Sequence, residues 1–257
     1  MSTALVTGAS SGIGLAFVRQ LAERGHDVVL VARDRARLEN LADDVERTYR
    51  VRAEILAADL TDRDQLGRVA ARLGEAERPV DLLVNNAGHG LAKGFLAGDV
   101  ADEERLLEIH CRATLVLSHA AARAMVQRGH GAIVNVSSVA SFVAMGSYSA
   151  AKAWVTTFSE GLSTELAPHG VTVTALCPGF THTEFHERAR MDMSRLPEAL
   201  WLDADELVRA GLADVARGRA ISVPGAAYKA VVGVTRLLPR ALTRQVSGGI
   251  SRRRRRG

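Results

Sequence analysis

Between Ala4 and Val223 the chain alternates two hydrophobic patterns. One is the short, nearly unbroken apolar run: Ala4–Thr7, Asp27–Ala32, Arg52–Ala58, Asp81–Asn85, Ala132–Val136, Val171–Cys177 and Ala220–Val223. The other is a longer stretch in which apolar residues return every three or four positions. Such stretches run over Leu15–Arg24, 35–50, from Thr61 or Asp62 to Leu73, Asp102–Arg128, from Tyr148 to Glu165, and Asp203–Arg217. The first pattern predicts buried strands and the second helices. Thr61 or Asp62 is the cap of its helix, and Pro168 with Gly170 stops the one that starts near Tyr148. The Asp102–Arg128 helix reads as continuous, with nothing stronger than Thr114 to interrupt it. Strands alternating with helices imply an α/β fold, a doubly wound parallel sheet of about seven strands. No repeat, linker or composition shift precedes residue 240, so residues 1–224 read as a single domain and 225–257 as an extension.

The strand ends carry the polar motifs. The first strand breaks into Gly8-Ala-Ser10-Ser11-Gly12-Ile13-Gly14 before a helix. Glycines there permit a tight turn, and a helix N-terminus presents free N–H groups to a phosphate. A plain turn is the alternative. The second strand ends at Ala32, followed by Arg33 and Asp34, at the distance from the glycines where a dinucleotide fold meets the adenosine ribose. An acid there would repel a 2′-phosphate, whereas a guanidinium suits one, which favours NADP(H) over NAD(H). A surface Arg33 paired with Asp34 is the competing reading. Asp59 and Leu60 close the third strand, where Asp59 is placed to meet an adenine amino group or to serve an ordinary loop. Asn85-Asn-Ala87-Gly88 closes the fourth and Ser137-Ser138 the fifth, all at the edge where such a fold binds its cofactor.

One further stretch pairs scarce residue types. The chain has three Tyr and three Lys, against 30 Arg, and Tyr148 and Lys152 stand one helical turn apart. An ammonium beside a phenol favours the phenolate, which predicts a Tyr148 pKa below the ordinary ~10 and proton exchange with a carbonyl or alcohol oxygen near neutral pH. A packed Tyr with a solvated Lys is the plainer possibility.

Composition narrows the partners. The net charge of +4 depends on Arg252 to Arg256; without them 28 basic residues face 29 acidic ones, which argues against a nucleic-acid footprint. Cys111 and Cys177 are far apart with no CxxC, as in a reduced, cytoplasmic protein without structural disulfides or zinc. The N-terminus lacks a basic leader and no apolar run reaches the ~18 residues of a membrane span, so the chain reads as soluble.

Taken in order, Thr7-Gly-Ala-Ser-Ser-Gly-Ile-Gly14, Asn85-Asn-Ala-Gly88, Val136-Ser-Ser138, Tyr148-Ser-Ala-Ala-Lys152 and Pro178-Gly179 resemble the short-chain dehydrogenase/reductase family over about residues 4–223. The resemblance implies a Rossmann-type domain and an NADPH-dependent reductase. Tyr148 would be the acid/base, Lys152 would bind the nicotinamide ribose and lower the Tyr pKa, Ser138 rather than Ser137 would hold the substrate oxygen, and Thr181 would contact the carboxamide. It also implies a homodimer or homotetramer. Two departures stand out. The family usually has an Asn in the long central helix that holds a relay water; here the matching residue is His110. His110 either binds a water and titrates itself, or is a helix His satisfied by backbone with the relay weakened. Only nine residues separate Ser138 and Tyr148, about three fewer than is usual in the family, which should reshape one wall of the substrate site.

Phe142, Met145, Phe180, Phe185, Trp201, Met191 and Met193 offer an apolar lining, within or near a cover over residues 184–201, or else ordinary packing. If they line the site, the substrate is a hydrophobic ketone such as a 3-oxoacyl chain, a steroid or a polyketide intermediate. Residues 225–246 mix aliphatic and basic side chains ahead of the five Arg, which permits peripheral contact with an anionic membrane or packing on the domain or a partner subunit. The rival to a ketone reductase is a catalytically weak, cofactor-binding regulatory or scaffold protein.

Overall fold

The computed structural model describes residues 2–185 and 197–237. Seven strands, β1 (Thr3–Thr7), β2 (Asp27–Ala32), β3 (Ala53–Ala57), β4 (Leu82–Asn85), β5 (Gly131–Val136), β6 (Val171–Leu176) and β7 (Ile221–Ser222), form one parallel sheet in the order β3-β2-β1-β4-β5-β6-β7. The order reverses between β1 and β4, and a crevice opens there at the carboxyl ends of the strands. The helices are α1 (Gly12–Glu23), α2 (Arg35–Tyr49), α3 (Arg63–Leu73), α4 (Val100–Leu107), α5 (Ala113–Arg128), α6 (Gly146–Leu166), α7 (Ala204–Ala216) and α8 (Ala226–Leu237).

The strands read as continuous apolar runs because both faces of the sheet are covered. On one face Phe17 and Leu21 of α1, Leu38 of α2 and Val208 of α7 pack against Val6, Val28 and Leu30. On the other, Leu66 of α3, Leu117 and Met125 of α5 and Leu166 of α6 pack against Leu5, Val29, Ile133 and Val173. Helix starts follow the local chemistry. Asp34 caps α2 by accepting from Arg37 N at 3.1 Å, and Asp62, not Thr61, caps α3 by accepting from Gln65 N at 2.9 Å.

The long helix is not continuous. Between α4 and α5 the residues Glu108–Arg112 form a π-helical turn. Arg112 anchors that turn by donating to the Thr61 carbonyl beyond β3 and pairing with Glu108 at 3.4 Å. No Pro or Gly marks the site, so the periodicity alone gave no warning of it. A sequence boundary at residue 224 also cuts through packed structure. Tyr228 and Val232 of α8 are buried with Ala175, Cys177 and Val223, and the Tyr228 hydroxyl accepts from Phe180 N and donates to Leu200 O.

Candidate active site

The glycine loop is tied to the end of β4 by the side chains of Thr7 and Asn86. Thr7 Oγ1 accepts from the Asn86 and Ala87 backbone N–H groups at 2.9 and 3.0 Å, and Asn86 Nδ2 donates to the Thr7 carbonyl at 3.0 Å. Gly8 and Gly12 have φ of +66° and +55°, in the left-handed region. A Cβ on Gly14 would lie 2.1 Å from the Gly8 carbonyl oxygen, so the loop closes on the first turn of α1 only because that residue has none. Ser10, Ser11 and Ile13 are partly exposed around this turn, and the first turn of α1 holds no acidic residue. The result is a cradle with backbone N–H groups and a positive helix end, which suits a pyrophosphate.

The other strand ends sort the predicted residues. Arg33 is exposed just past β2, near enough to Asp59 to help hold its carboxylate charged. Burial works against that charge, but the bonds from Thr61 N and Oγ1, at 2.9 and 2.7 Å, with Arg33 bring the Asp59 pKa below its usual value. Asp34 is not the partner of Arg33; it caps α2 and pairs with Arg37. Leu60 is buried. Asn85 turns its amide inward, donating to Ser118 Oγ at 3.0 Å and Asn135 Oδ1 at 2.9 Å, while Asn86 takes the position facing the glycine loop. The Asn85 side chain therefore faces away from the glycine loop, which leaves its main chain at the crevice. Strand alternation is the cause: Asn85 pairs in register with Asn135, and both point toward α5. Ala87 is partly buried and Gly88 exposed.

The chemistry residues meet at the ends of β5 and β6. Ser137 is buried, donating to the Lys152 carbonyl at 2.8 Å and meeting Thr156 Oγ1 at 2.7 Å; it joins α6 to the sheet. Ser138 points the other way: its Oγ accepts from Ala140 N at 3.1 Å and lies near enough to the Tyr148 phenol to act on its ionisation. Lys152 is 4% exposed, and its Nζ donates to the Val136 carbonyl at 2.7 Å while lying 5.8 Å from the centre of the Tyr148 ring. Pro178 and Thr181 are buried; Gly179 packs on the Tyr228 ring, and Thr181 Oγ1 donates to the Gly179 carbonyl at 3.1 Å. Thr183 lies against Gly12, bringing the segment after β6 over the glycine loop.

The ionisation of the pair differs from the sequence expectation. Burial pushes the Tyr148 phenol up to about 12, with the Ser138 bond acting in the opposite direction. Burial also brings the Lys152 ammonium down to about 8. The ammonium spends its closest contact on Val136, so the lysine does not acidify the phenol in this geometry. At neutral pH the Tyr148 phenol keeps its proton.

His110 sits in the π-turn, 2% exposed. Its Nε2 lies 2.8 Å from the His89 carbonyl, its edge meets the Tyr148 ring at 5.6 Å, and its Cε1 occupies the space a Cβ on Gly88 would need. Burial, then the charge of Lys152, holds the imidazole well below its usual pKa, so it is neutral, with Nε2 donating and Nδ1 left to accept. His110 is thus satisfied by backbone through the His89 carbonyl, and its ring edge also meets Tyr148.

Of the apolar candidates, Phe185 reaches Tyr148 at 5.9 Å and Met145 is exposed at the start of α6. Phe142 and Phe180 pack on the cluster that contains Tyr228, Trp201 stacks on His182 at 4.6 Å, and Met191 and Met193 lie outside the described residues. Among the described residues no group of three His, Cys, Asp or Glu could hold a metal ion, and Cys111 and Cys177 are free thiols. No helix among them is long and apolar enough to cross a membrane.

A nucleotide cradle at the sheet's switch point, beside half-buried Ser138 and Tyr148 and a buried Lys152, defines an NAD(P)-dependent oxidoreductase acting on CH–OH and C=O groups. A family model for the short chain dehydrogenases matches residues 2–194. The chain belongs to that family. It is 41% identical, with a TM-score of 0.84, to the structure of a short-chain dehydrogenase from Sphingobium yanoikuyae in complex with NADPH, covering 92% of this chain and 94% of that one. It is 34% identical, with a TM-score of 0.79, to a bulky-bulky ketone specific alcohol dehydrogenase from Comamonas testosteroni, over 94% and 96% of the two chains. A 3-oxoacyl-[acyl-carrier-protein] reductase from Aquifex aeolicus is 33% identical over 183 residues, 70% of this chain and 74% of the relative.

Proposed function

We propose that this protein is an NADPH-dependent reductase of a hydrophobic ketone, with Ser138, Tyr148 and Lys152 as its working residues. The observation that carries the reading is a phenol kept protonated by burial, set beside Ser138 and bordered by Phe185. The NADPH bound to the Sphingobium yanoikuyae relative and the bulky ketones of the Comamonas testosteroni relative support it.

The residues present fit a dinucleotide, since the cradle at Gly14 is one that a side chain would fill. Gly8, Ser10, Ser11, Gly12, Ile13 and Gly14 would hold the pyrophosphate, and Arg33 a 2′-phosphate. Asp59 and Leu60 would border the adenine, with the main chain of Asn85, Ala87 and Gly88 beside its ribose. Pro178, Gly179 and Thr181 would hold the carboxamide, and Tyr148 and Lys152 the nicotinamide ribose. When bound, the cofactor supplies the hydride. Ser138 and Tyr148 hydrogen-bond the substrate oxygen as negative charge develops on it, and Tyr148 gives up its proton. Lys152, charged below about 8 and anchored on the Val136 carbonyl, would act through the nicotinamide ribose. His110 braces the Tyr148 ring from the β4 side.

The outer face of α6 suits a second copy of the chain. There Trp154 and Phe158 stack at 4.7 Å along a groove of about 330 Å³ that includes Gly161 and Leu162. Light scattering of Trp154→Ala is expected to show smaller particles than wild type; unchanged mass assigns the contact elsewhere. For the activity, NADPH oxidation across bulky ketones, long-chain 3-oxo esters and steroids tests the reading, with NADH in parallel. Turnover of at least one class with a preference for NADPH is expected. Cofactor binding without turnover of any ketone would favour the scaffold reading instead.

A further inference from the structure

The two ends of the crevice are joined by one short piece of backbone. At the adenosine end Asp59 accepts from Thr61 N and Oγ1 at 2.9 and 2.7 Å, and Arg33 lies close enough to act on its charge. The Thr61 carbonyl in turn accepts from Arg112. Arg112 belongs to the π-turn Glu108–Arg112, which also carries His110, and the His110 edge meets the Tyr148 ring at 5.6 Å. One turn of helix is therefore held at the end of β3 and touches the phenol.

The local sequence does not demand this turn. It holds neither Pro nor Gly, and the spacing of apolar residues predicts an α-helix running unbroken from α4 into α5. Its marker bond runs from Ala113 N to the Glu108 carbonyl, five residues back instead of four. Returning to the α register would rotate one side of the turn against the other by about 100°, the angle of one residue. That rotation would carry His110 off the Tyr148 ring or Arg112 off the Thr61 carbonyl. Three tertiary contacts oppose it: Arg112 on Thr61, His110 Nε2 on the His89 carbonyl at 2.8 Å, and Ile109 buried in the same cluster as Leu60. Two of the three involve the corner Asp59-Leu60-Thr61, so order at that corner and the register of the turn depend on each other.

We propose that Arg112 is a positioning residue: by tying the π-turn to the Thr61 carbonyl, it makes the placement of His110 against Tyr148 depend on occupation of the adenosine end. The proposal rests on the reading of Arg33, Asp59 and Leu60 as that end. A ligand there orders the corner, the corner fixes Arg112, and Arg112 holds the turn in the register that braces the phenol. Binding at one end of the crevice thereby prepares the proton donor at the other before any ketone arrives.

The test uses the full chain, no ketone, and two probes that carry no nicotinamide, adenosine 2′,5′-bisphosphate and AMP. The carbon-13 ring resonance of Tyr148, identified through Tyr148→Phe, is followed as each probe is brought to saturation, with amide hydrogen exchange over residues 108–113 in parallel. In wild type the resonance should move and exchange in the turn should slow several-fold. Glu108→Gln, which loses the 3.4 Å ion pair to Arg112 but keeps the Thr61 bond, should respond like wild type. Arg112→Met keeps the stem and loses the donors; it should still bind the probe, with the Tyr148 movement several-fold smaller. Arg112→Lys, which restores one donor, should recover part of that movement. No movement in wild type, or equal movement in Arg112→Met with the probe bound, overturns the proposal. Should Arg112→Met not fold, Thr61→Val takes its place, since it removes one of the two bonds that fix Asp59 and leaves Arg112 its acceptor. Undiminished movement there overturns the proposal as well. Tighter binding of AMP than of the bisphosphate would contradict only the preference for NADPH, and the coupling is then read with AMP.

Discussion

The two halves of the crevice are made differently. The half around Thr7–Gly14 works through main-chain geometry: N–H groups, left-handed turns and a close approach that forbids a side chain at Gly14. The half around Ser138, Tyr148, Lys152 and His110 works through side chains whose charge states are set by burial. Substitutions in the first half should therefore act on cofactor affinity, and in the second on turnover.

The largest expected effect is Tyr148→Phe. Removing the proton donor should lower ketone reduction by about a hundredfold or more while NADPH affinity, read by fluorescence titration, stays within a few-fold of wild type. Gly14→Val is the opposite case: its new Cβ meets the Gly8 carbonyl, so NADPH affinity should fall about a hundredfold at least, with residual turnover at saturating cofactor. Affinity close to wild type would mean the loop relaxes and is no rigid cradle.

Arg33→Ala should narrow the preference for NADPH over NADH by about tenfold or more, since a charge-assisted bond is lost for one cofactor alone. An unchanged ratio would remove Arg33 from the account. His110→Ala should lower turnover by about tenfold and leave cofactor binding nearly unaltered, because the residue touches Tyr148 through an edge contact. Equal turnover in the two proteins would make His110 a packing residue. The pH profiles sharpen the same contrast. A phenol with a raised pKa keeps its proton through neutrality, so reduction should show no loss from Tyr148 ionisation as pH rises to 8. Alcohol oxidation, which needs the phenolate, should climb with pH toward about 12.

The same division explains what the sequence made legible. Strand runs, caps and the glycine loop depend on local chemistry, so seven strands and the cradle could be read directly. The π-turn depends on Arg112 reaching Thr61, far away in sequence, and no periodicity records that contact. Asn85 and Asn86 differ only in which face of β4 they occupy, a distinction available from strand alternation but easily lost in a double Asn. The role of Tyr228 against Gly179 lay in a stretch that reads as a basic tail. The Tyr148 pKa was assigned the wrong direction because the spacing shows the lysine and conceals the burial.

A carbon-13 titration of the tyrosine ring resonances in the cofactor-free protein, with Tyr148→Phe to identify the signal among the three tyrosines, tests that last point. The account predicts that the Tyr148 resonance stays at its protonated position well past the ordinary tyrosine value of about 10. A midpoint at or below about 8 would show that the lysine, not burial, governs the phenol.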